Sequence, residues 1–385
     1  MTSMNDSGND SGAARWPHIL SPFRLGSLDL PNRTVVAPMT RISADADGVP
    51  TAQMADHYAA FARGGFGLII TEGTHTDTFQ SQGYRDQPGI VTPAQVEGWR
   101  QVVDAVHAAG GRIVLQVMHA GALVQENRYT DDIVAPSAIQ PAGAMGARYY
   151  GDGPFHMPRA MTADEITAVV ASFEASAANA MAAGFDGVEI HGANGYLPVQ
   201  FLTPETNTRT DGYGGSLENR LRFHLEIMAA VVRGVAGRGL AGMRMSQSRS
   251  NDFNYKWAGG VDDAKATFSA LAGAGADYIH VSTHQGLGEE FGSGHTLAGL
   301  AREFAGLPII ACGKLEDPAN GEQLLAGGEA DLVAIARGAI GDPSWPNKLA
   351  RGEAPVAFDP EMISPFATLD ATAAWRAANG SSFAD

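Results

Sequence analysis

The chain has 385 residues, of which 44% are hydrophobic, and this is enough to bury a large core in one or two domains. The formal net charge of −16 argues against nucleic-acid partners, which select clustered lysine and arginine. Cys312 is the single cysteine, so the composition excludes an intramolecular disulfide and a cysteine-ligated iron–sulfur cluster.

The N-terminal segment is rich in serine, asparagine, aspartate and glycine, and it lacks the apolar stretch of a signal peptide. We expect a disordered leader over residues 1–16 and a cytoplasmic protein. We find no apolar run near the length of about 20 residues that a membrane span requires.

Short apolar runs rich in β-branched residues then alternate with helical patterns along the chain. Eight runs predict strands: 34–37, 67–71, 112–117, 187–191, 243–246, 278–282, 308–312 and 331–335. The intervening patterns predict helices at 51–64, 94–109, 163–183, 217–234, 262–274, 297–305 and 318–327, with a weaker eighth at 343–351. Thr162 and Glu165 form a capping-box pattern at the start of one helix, and Gly184 stands where a helix C-terminus favours glycine.

Continuous apolar strands that alternate with helices indicate a parallel sheet covered by helices. Eight such units predict an α/β fold with a single (β/α)8 TIM barrel over residues 17–351. A doubly wound sheet is the alternative, but no G-x-G-x-x-G pattern follows the first strand. Segment 119–161 is predicted to cross one barrel face, and 352–385 is a C-terminal extension without an assigned role.

Barrel enzymes carry their chemistry at the carboxyl ends of the strands. The fourth predicted strand ends at His191, and Asn194 and Tyr196 follow it closely. These residues bring an imidazole, an amide and a phenol together. Such groups can hold a carbonyl oxygen and deliver a proton nearby, although a purely structural polar loop is the competing interpretation.

The last two strands end in Gly313-Lys314 and Arg337-Gly338, a position that binds phosphate in many barrels. An arginine that pairs with a carboxylate at the barrel rim is the alternative for Arg337. Arg244 lies inside the fifth strand, where a buried charge needs a partner. Arg244, Gln116 and Thr40 together predict a ligand that is an aromatic heterocycle with a phosphate group. Flavin mononucleotide (FMN) fits this description.

Six motifs in order make the chain resemble the Old Yellow Enzyme family of FMN-dependent ene-reductases over roughly residues 20–350. The motifs are Pro31-Asn32-Arg33 with Ala37-Pro38-Met39-Thr40, then residues 116–121, 135–139, 158–162, 191–196 and 209–220.

This resemblance implies roles for individual residues. The flavin ring would be contacted by Pro38, Met39, Thr40, Gly73, Gln116 and Arg244. The phosphate would be received by Gly313, Lys314, Ala336 and Arg337. His191 and Asn194 would hold the substrate carbonyl, and Tyr196 would protonate the α-carbon after hydride transfer from NADPH or NADH through FMN to the β-carbon.

The implied substrate is a small activated alkene, and the sequence leaves open its identity, the choice between NADH and NADPH, and a homo-oligomeric state. Ala336 departs from the family's usual glycine, Ala122 from its usual arginine, and Ser246-Gln247 from its usual Ser-Pro. A nitro-compound reductase and a flavin-binding sensor remain alternatives. No histidine stands in a metal-ligand spacing, and His280 and His284 are interpreted as rim or core residues.

Overall fold

Eight parallel strands close into a barrel in the computed structural model, which describes residues 12–380. Each strand pairs with its neighbours in chain order, and the pairing of the second strand with the third closes the ring. The predicted TIM barrel is therefore confirmed. The strands are β1 Thr34–Val36, β2 Leu68–Ile70, β3 Ile113–Met118, β4 Gly187–Asn194, β5 Leu240–Arg249, β6 Tyr278–Ser282, β7 Ile309–Cys312 and β8 Leu332–Ile335.

The outer layer consists of helices that pack their apolar faces on the barrel. Thr162 and Glu165 form the predicted capping box, and Gly184 ends that helix with a φ of +96°. The barrel helices are α1 Ala52–Arg63, α2 Pro93–Ala108, α3 Ala163–Ala183, α4 Leu217–Val235, α5 Val261–Gly273, α6 Leu297–Ala305, α7 Pro318–Ala326 and α8 Trp345–Ala350.

Among the described residues, α3 alone is long and apolar enough to cross a membrane by length and composition. Its buried residues include Ile166, Phe173 and Ala177, and the helix packs beside α2 and α4 in the outer layer. This packing accounts for its apolar composition.

The two ends of the barrel interior differ in polarity. A hairpin of Phe23–Leu25 and Leu28–Leu30 inserts Leu25 and Leu30 into an apolar cluster at the amino ends of the strands. Polar side chains such as Gln116 and Arg244 are buried farther along their strands. The fold therefore places its buried polar groups toward the carboxyl ends, where the candidate site lies.

Two segments differ from the sequence expectations. The predicted disordered leader lies mostly outside the described residues, but Gly12–Arg15 form a short helix. Gly12 allows this helix to approach α8 closely, because a Cβ at this position would lie 1.6 Å from the Leu349 carbonyl oxygen. Strand β5 extends to Arg249, beyond the predicted end at 246, because a bulge lets Arg249 pair with Asn194.

Within 352–380 the chain forms a 3-10 turn at Pro360–Ile363 and a helix at Leu369–Asn379. This segment receives the buried guanidinium of Arg41, which follows β1. Arg41 donates from Nε to the Ala367 carbonyl at 3.2 Å, and from Nη2 to the Thr368 carbonyl at 2.8 Å and Thr372 Oγ1 at 2.7 Å. The C-terminal segment is thus fixed to the loop that begins with Pro38.

Replacing Arg41 by leucine is expected to lower the free energy of unfolding by about 2–4 kcal/mol, because buried acceptors lose their donors. Urea unfolding followed by circular dichroism measures the effect. Arg24→Leu is the control and should cost less than about 0.5 kcal/mol, since that side chain is exposed and weakly paired with Asp29 at 3.5 Å. Equal losses in the two variants would contradict this account of the C-terminal segment.

Candidate active site

The imidazole of His191 is held at the carboxyl end of β4, where it is 5% exposed. Its Nδ1 accepts a hydrogen bond from the Ala193 backbone N–H at 3.3 Å. Burial, followed by the positive charge of Arg244, moves the pKa of His191 well below its usual range. The ring is therefore neutral at physiological pH and carries its proton on Nε2, which makes this nitrogen a hydrogen-bond donor.

Asn194 lies at the end of the same strand in a left-handed conformation with a φ of +60°. Its backbone N–H donates to Ser246 Oγ at 2.8 Å, and its carbonyl accepts from the Ser250 backbone N–H at 2.9 Å. The extension of β5 thus holds Asn194 from the neighbouring strand. Its half-buried side-chain amide makes no hydrogen bond with another described residue, so the amide is free to bind a ligand.

Tyr196 is buried beside His191, with the two ring planes inclined at 73° and their centroids 4.7 Å apart. Its hydroxyl lies 2.5 Å from the hydroxyl of Tyr84. Burial raises the pKa of Tyr196 to about 12, so the phenol keeps its proton at neutral pH. The structure therefore brings the rings of His191 and Tyr196 into contact, and it places Asn194 at the end of the strand that carries His191.

The sequence analysis missed Tyr84, which lies in the segment after β2. Its ring contacts that of Tyr149 with a centroid distance of 5.1 Å, and burial raises its pKa well above the usual range. The only local signal was an aromatic residue preceded by Gly83 in a polar loop. Nothing in that pattern indicates contact with a residue at the end of β4.

Arg244 and Gln116 are buried on β5 and β3, the two strands that flank β4, and Arg244 stands directly beside His191 in the strand register. Gln116 donates from Nε2 to Glu189 Oε1 at 2.7 Å. Arg244 is 5% exposed and has no carboxylate within 4.0 Å among the described residues; its Nη2 lies 3.7 Å from Cys312 Sγ, and its Nε has no partner. A buried cation that the described residues leave unpaired fits an anionic ligand.

The loop after β1 contributes Pro38, Met39 and Thr40, of which the last two are half-buried. Glu72, just after β2, fixes the part of this loop that follows Thr40. Its Oε2 accepts hydrogen bonds from the backbone N–H groups of Arg41 at 2.8 Å and Ile42 at 3.1 Å. Burial raises the pKa of Glu72 to about 7.

Gly73 follows Glu72 against β3, and its carbonyl accepts from Gln87 Nε2 at 2.7 Å. A Cβ at this position would lie 2.6 Å from Met118 Sδ, so the close approach of the two segments favours glycine.

The predicted phosphate residues stand at the ends of the adjacent strands β7 and β8. Gly313 has a φ of +141°, and a Cβ there would lie 2.4 Å from the Thr283 carbonyl oxygen. Ala336 precedes Arg337, whose exposed side chain forms no hydrogen bond or ion pair with any described residue. Lys314 is exposed at the same end of the barrel. This arrangement leaves two cations available to an anionic ligand, and it disfavours a carboxylate-paired Arg337.

A cavity of about 240 Å³ lies between the predicted excursion 119–161 and the extension of β5, behind the loop that carries His191 and Tyr196. Its walls include Leu123, Ile139, Gly195, Gln200, Arg249 and Asn251. Across residues 12–380, no group of three or more His, Cys, Asp or Glu side chains is arranged to hold a metal ion.

Comparison with known proteins identifies a family. The model of the NADH:flavin oxidoreductase / NADH oxidase family matches residues 18–355. The protein belongs to this family, which includes Old Yellow Enzyme. The structure of morphinone reductase in complex with tetrahydroNAD is 35% identical, has a TM-score of 0.80 and covers 90% of this chain and 94% of that chain.

Two further members of the Old Yellow Enzyme family are similar over shorter shares of their own length. A probable flavin mononucleotide-dependent alkene reductase of Leishmania infantum is 44% identical over 242 residues, which are 61% of this chain and 65% of that protein. An NADH oxidase of Thermoanaerobacter brockii is 34% identical over 350 residues, 88% of this chain and 51% of that protein. This chain thus spans between half and two thirds of these two relatives.

The bond between Tyr84 and Tyr196 is testable by a double-mutant cycle of the two Tyr→Phe substitutions. We expect a coupling energy of about 1 kcal/mol, the usual net contribution of a hydrogen bond, from urea unfolding. Tyr149→Phe combined with Tyr196→Phe is the matched control and should show no coupling, since Tyr149 meets Tyr84 through its ring. Coupling below about 0.3 kcal/mol in the first cycle would show that the two hydroxyls are not bonded.

Proposed function

We propose that this member of the family is an FMN-dependent ene-reductase. The reaction adds a hydride from NAD(P)H to the β-carbon of an α,β-unsaturated carbonyl or nitro compound, and a proton to the α-carbon. The alkene is reduced and NAD(P)H is oxidised to NAD(P)⁺. The observation that carries this proposal is the group of three side chains at the end of β4, with two donors beside a protonated, buried phenol.

The residues present fit FMN. Arg244 offers an unpaired buried cation, Gln116 offers amide groups, and Lys314 and Arg337 offer positive charge at the end where barrels bind phosphate. When bound, FMN would supply the hydride acceptor and donor that link NAD(P)H to the alkene. Pro38, Met39, Thr40 and Gly73 would line its ring, and the amides of Gly313 and Ala336 would receive the phosphate.

His191 and Asn194 would hold the oxygen of the substrate carbonyl. The neutral His191 ring presents Nε2–H, and the Asn194 amide has no competing hydrogen bond among the described residues. As hydride reaches the β-carbon, negative charge develops on this oxygen, and preorganised donors stabilise it. Each such donor contributes about 3–4 kcal/mol in comparable oxyanion sites.

Tyr196 would then protonate the α-carbon. Its raised pKa keeps the proton on the phenol until a strongly basic, carbanion-like carbon forms. The Tyr84 hydroxyl can donate to the Tyr196 oxygen, so it would stabilise the phenolate that remains. The protein would regain its proton from water before the next turnover.

Names of similar proteins support the same assignment. One relative is described as a flavin mononucleotide-dependent alkene reductase, and the structure of morphinone reductase was solved with a nicotinamide cofactor analogue. We also propose a cytoplasmic location, with which the acidic composition is consistent.

The purified protein should take up FMN, and NADPH or NADH should bleach its absorption. In Tyr196→Phe, this bleaching should keep its rate, while turnover of 2-cyclohexenone falls by about 100-fold or more, because the general acid is lost. Anaerobic stopped-flow absorbance separates the two half-reactions. Tyr213→Phe, which alters a hydroxyl bonded to Glu226 on α4, is the control and should leave both rates unchanged.

A protein that takes up no FMN would refute the proposed function. Unchanged enone turnover in Tyr196→Phe would remove this residue as the acid and leave the cofactor assignment intact.

His191→Leu should weaken the binding of phenols, which imitate the enolate oxygen, by about 10- to 100-fold, because one charge-assisted hydrogen bond is lost. Spectral titration of the FMN-loaded protein with para-substituted phenols measures this effect. His18→Leu is the control, since that exposed histidine pairs with Glu322 on the outer helix α7. Equal phenol affinity in the two variants would argue against a carbonyl-binding role for His191.

A further inference from the structure

A carboxylate lies inside the barrel, and the proposed reaction does not use it. Glu189 of β4 is fully buried, and three side chains bind it. Oε1 accepts from Gln116 Nε2 at 2.7 Å, and Oε2 lies 3.0 Å from His280 Nδ1 and accepts from the Tyr278 hydroxyl at 3.2 Å. All three partners are also buried, with exposures of 0–1%.

A buried carboxylate is costly unless a positive charge accompanies it. His280 is the nearest candidate, because its Nδ1 is within hydrogen-bond distance of Glu189. Burial is the largest influence on the pKa of His280 and lowers it. The Glu189 carboxylate, together with the hydrogen bonds to Cys312 and Glu189, outweighs burial and the charge of Arg244, so the pKa ends above its usual range. This direction agrees with the geometry, in which a protonated imidazole donates from Nδ1 to Oε2.

Five groups surround His280 and set its charge. Glu189 and His191 face it from β4 and Arg244 from β5, while Tyr278 lies on its own strand and Cys312 on β7. Arg244 acts against protonation of His280, because the two residues stand side by side on the adjacent strands β5 and β6. Glu189 is the one carboxylate of this group and the largest influence that favours protonation of His280, followed by the hydrogen bond to Cys312.

The same carboxylate orients a residue of the proposed flavin site. Because Gln116 directs Nε2 toward Glu189, its Oε1 is left to face a ligand as an acceptor. Glu189 therefore acts on both residues that would make polar contacts with the flavin ring, on Gln116 by a direct hydrogen bond and on the surroundings of Arg244 through His280.

We propose that Glu189 and His280 are positioning residues of the flavin site, in which Glu189 fixes the Gln116 amide and holds His280 as a second cation beside Arg244. This inference rests on the proposed binding of FMN. Reduced FMN would carry a negative charge, so a second cation beside Arg244 would favour the reduced state. The charge of His280 should therefore be visible in the reduction potential of the bound flavin.

The test compares His280→Gln, Glu189→Gln and the double variant, each loaded with FMN, by spectroelectrochemistry against a reference dye. Glutamine at 280 still donates to Glu189 but carries no charge. We expect reduction of the bound FMN to become about tenfold less favourable in His280→Gln, because a cation is lost while the carboxylate stays. The double variant should return toward the wild-type potential, since it also removes the carboxylate.

His224→Gln is the matched control. That histidine is also fully buried, but it lies in the outer helix α4, and neither ring nitrogen has a hydrogen-bond partner among the described residues. The reduction potential of FMN bound to His224→Gln should equal that of FMN bound to the wild type. A wild-type potential in His280→Gln would overturn the inference, because it would show that His280 carries no charge in the loaded protein.

Glu189→Gln keeps the inference testable if the variants at 280 do not fold. In the wild type, His280 should add one proton to the reduction of FMN over the pH interval around its raised pKa, which steepens the dependence of the potential on pH. Glu189→Gln should lose this steeper interval, because its histidine stays neutral. An identical pH dependence in both proteins would overturn the inference.

A wild-type protein that binds no FMN refutes the proposed function instead, and reconstitution of the apoprotein with FMN separates that result from the others.

Discussion

Arg244 is a buried cation that the surrounding protein does not neutralise, and the organisation of the site depends on it. A charge inside a barrel is tolerated when a ligand or a network compensates it. Here the only bonded neighbour among the described residues is the Cys312 sulfur, while Glu189 is already bound by three other side chains. The unpaired cation of Arg244 is thus available to an anionic ligand.

Electrostatics also explains the protonation states of His191 and Tyr196 at the end of β4. The charge of Arg244 and burial together keep His191 neutral, so this ring donates a hydrogen bond and does not compete as a second fixed charge. Burial keeps Tyr196 protonated. In the proposed reaction, the Arg244 cation on β5 would bind an anionic ring, and the neutral donors at the end of β4 would polarise a neutral carbonyl.

The sequence predicted the barrel because buried parallel strands are apolar throughout and alternate with helices, a pattern that survives without any tertiary information. It also placed His191, Asn194 and Tyr196 together, since one loop carries all three. The residues that it missed come from long-range contacts. Tyr84 reaches Tyr196 from a loop more than a hundred positions earlier, and β5 runs past its predicted end because Asn194 offers pairing on the next strand.

Segment 352–380 illustrates the same limit. Its composition carries no strong periodicity, and its position follows from the acceptors that it presents to Arg41. The interior pair of Glu189 and His280 was equally hidden, because each residue alone resembles an ordinary core or rim residue. The proposed role of the pair depends on the 3.0 Å distance between His280 Nδ1 and Glu189 Oε2, which lie on strands that are not adjacent.

The contact of Arg41 with Ala367 and Thr372 links folding to the order of synthesis. The loop after β1 leaves the ribosome early, but the carbonyl and hydroxyl oxygens that bind the Arg41 guanidinium come more than three hundred residues later. Until they emerge, this loop lacks the partners that fix it beside the barrel mouth. A nascent chain can therefore complete the wall next to Thr40 only after residues 367–372 have emerged.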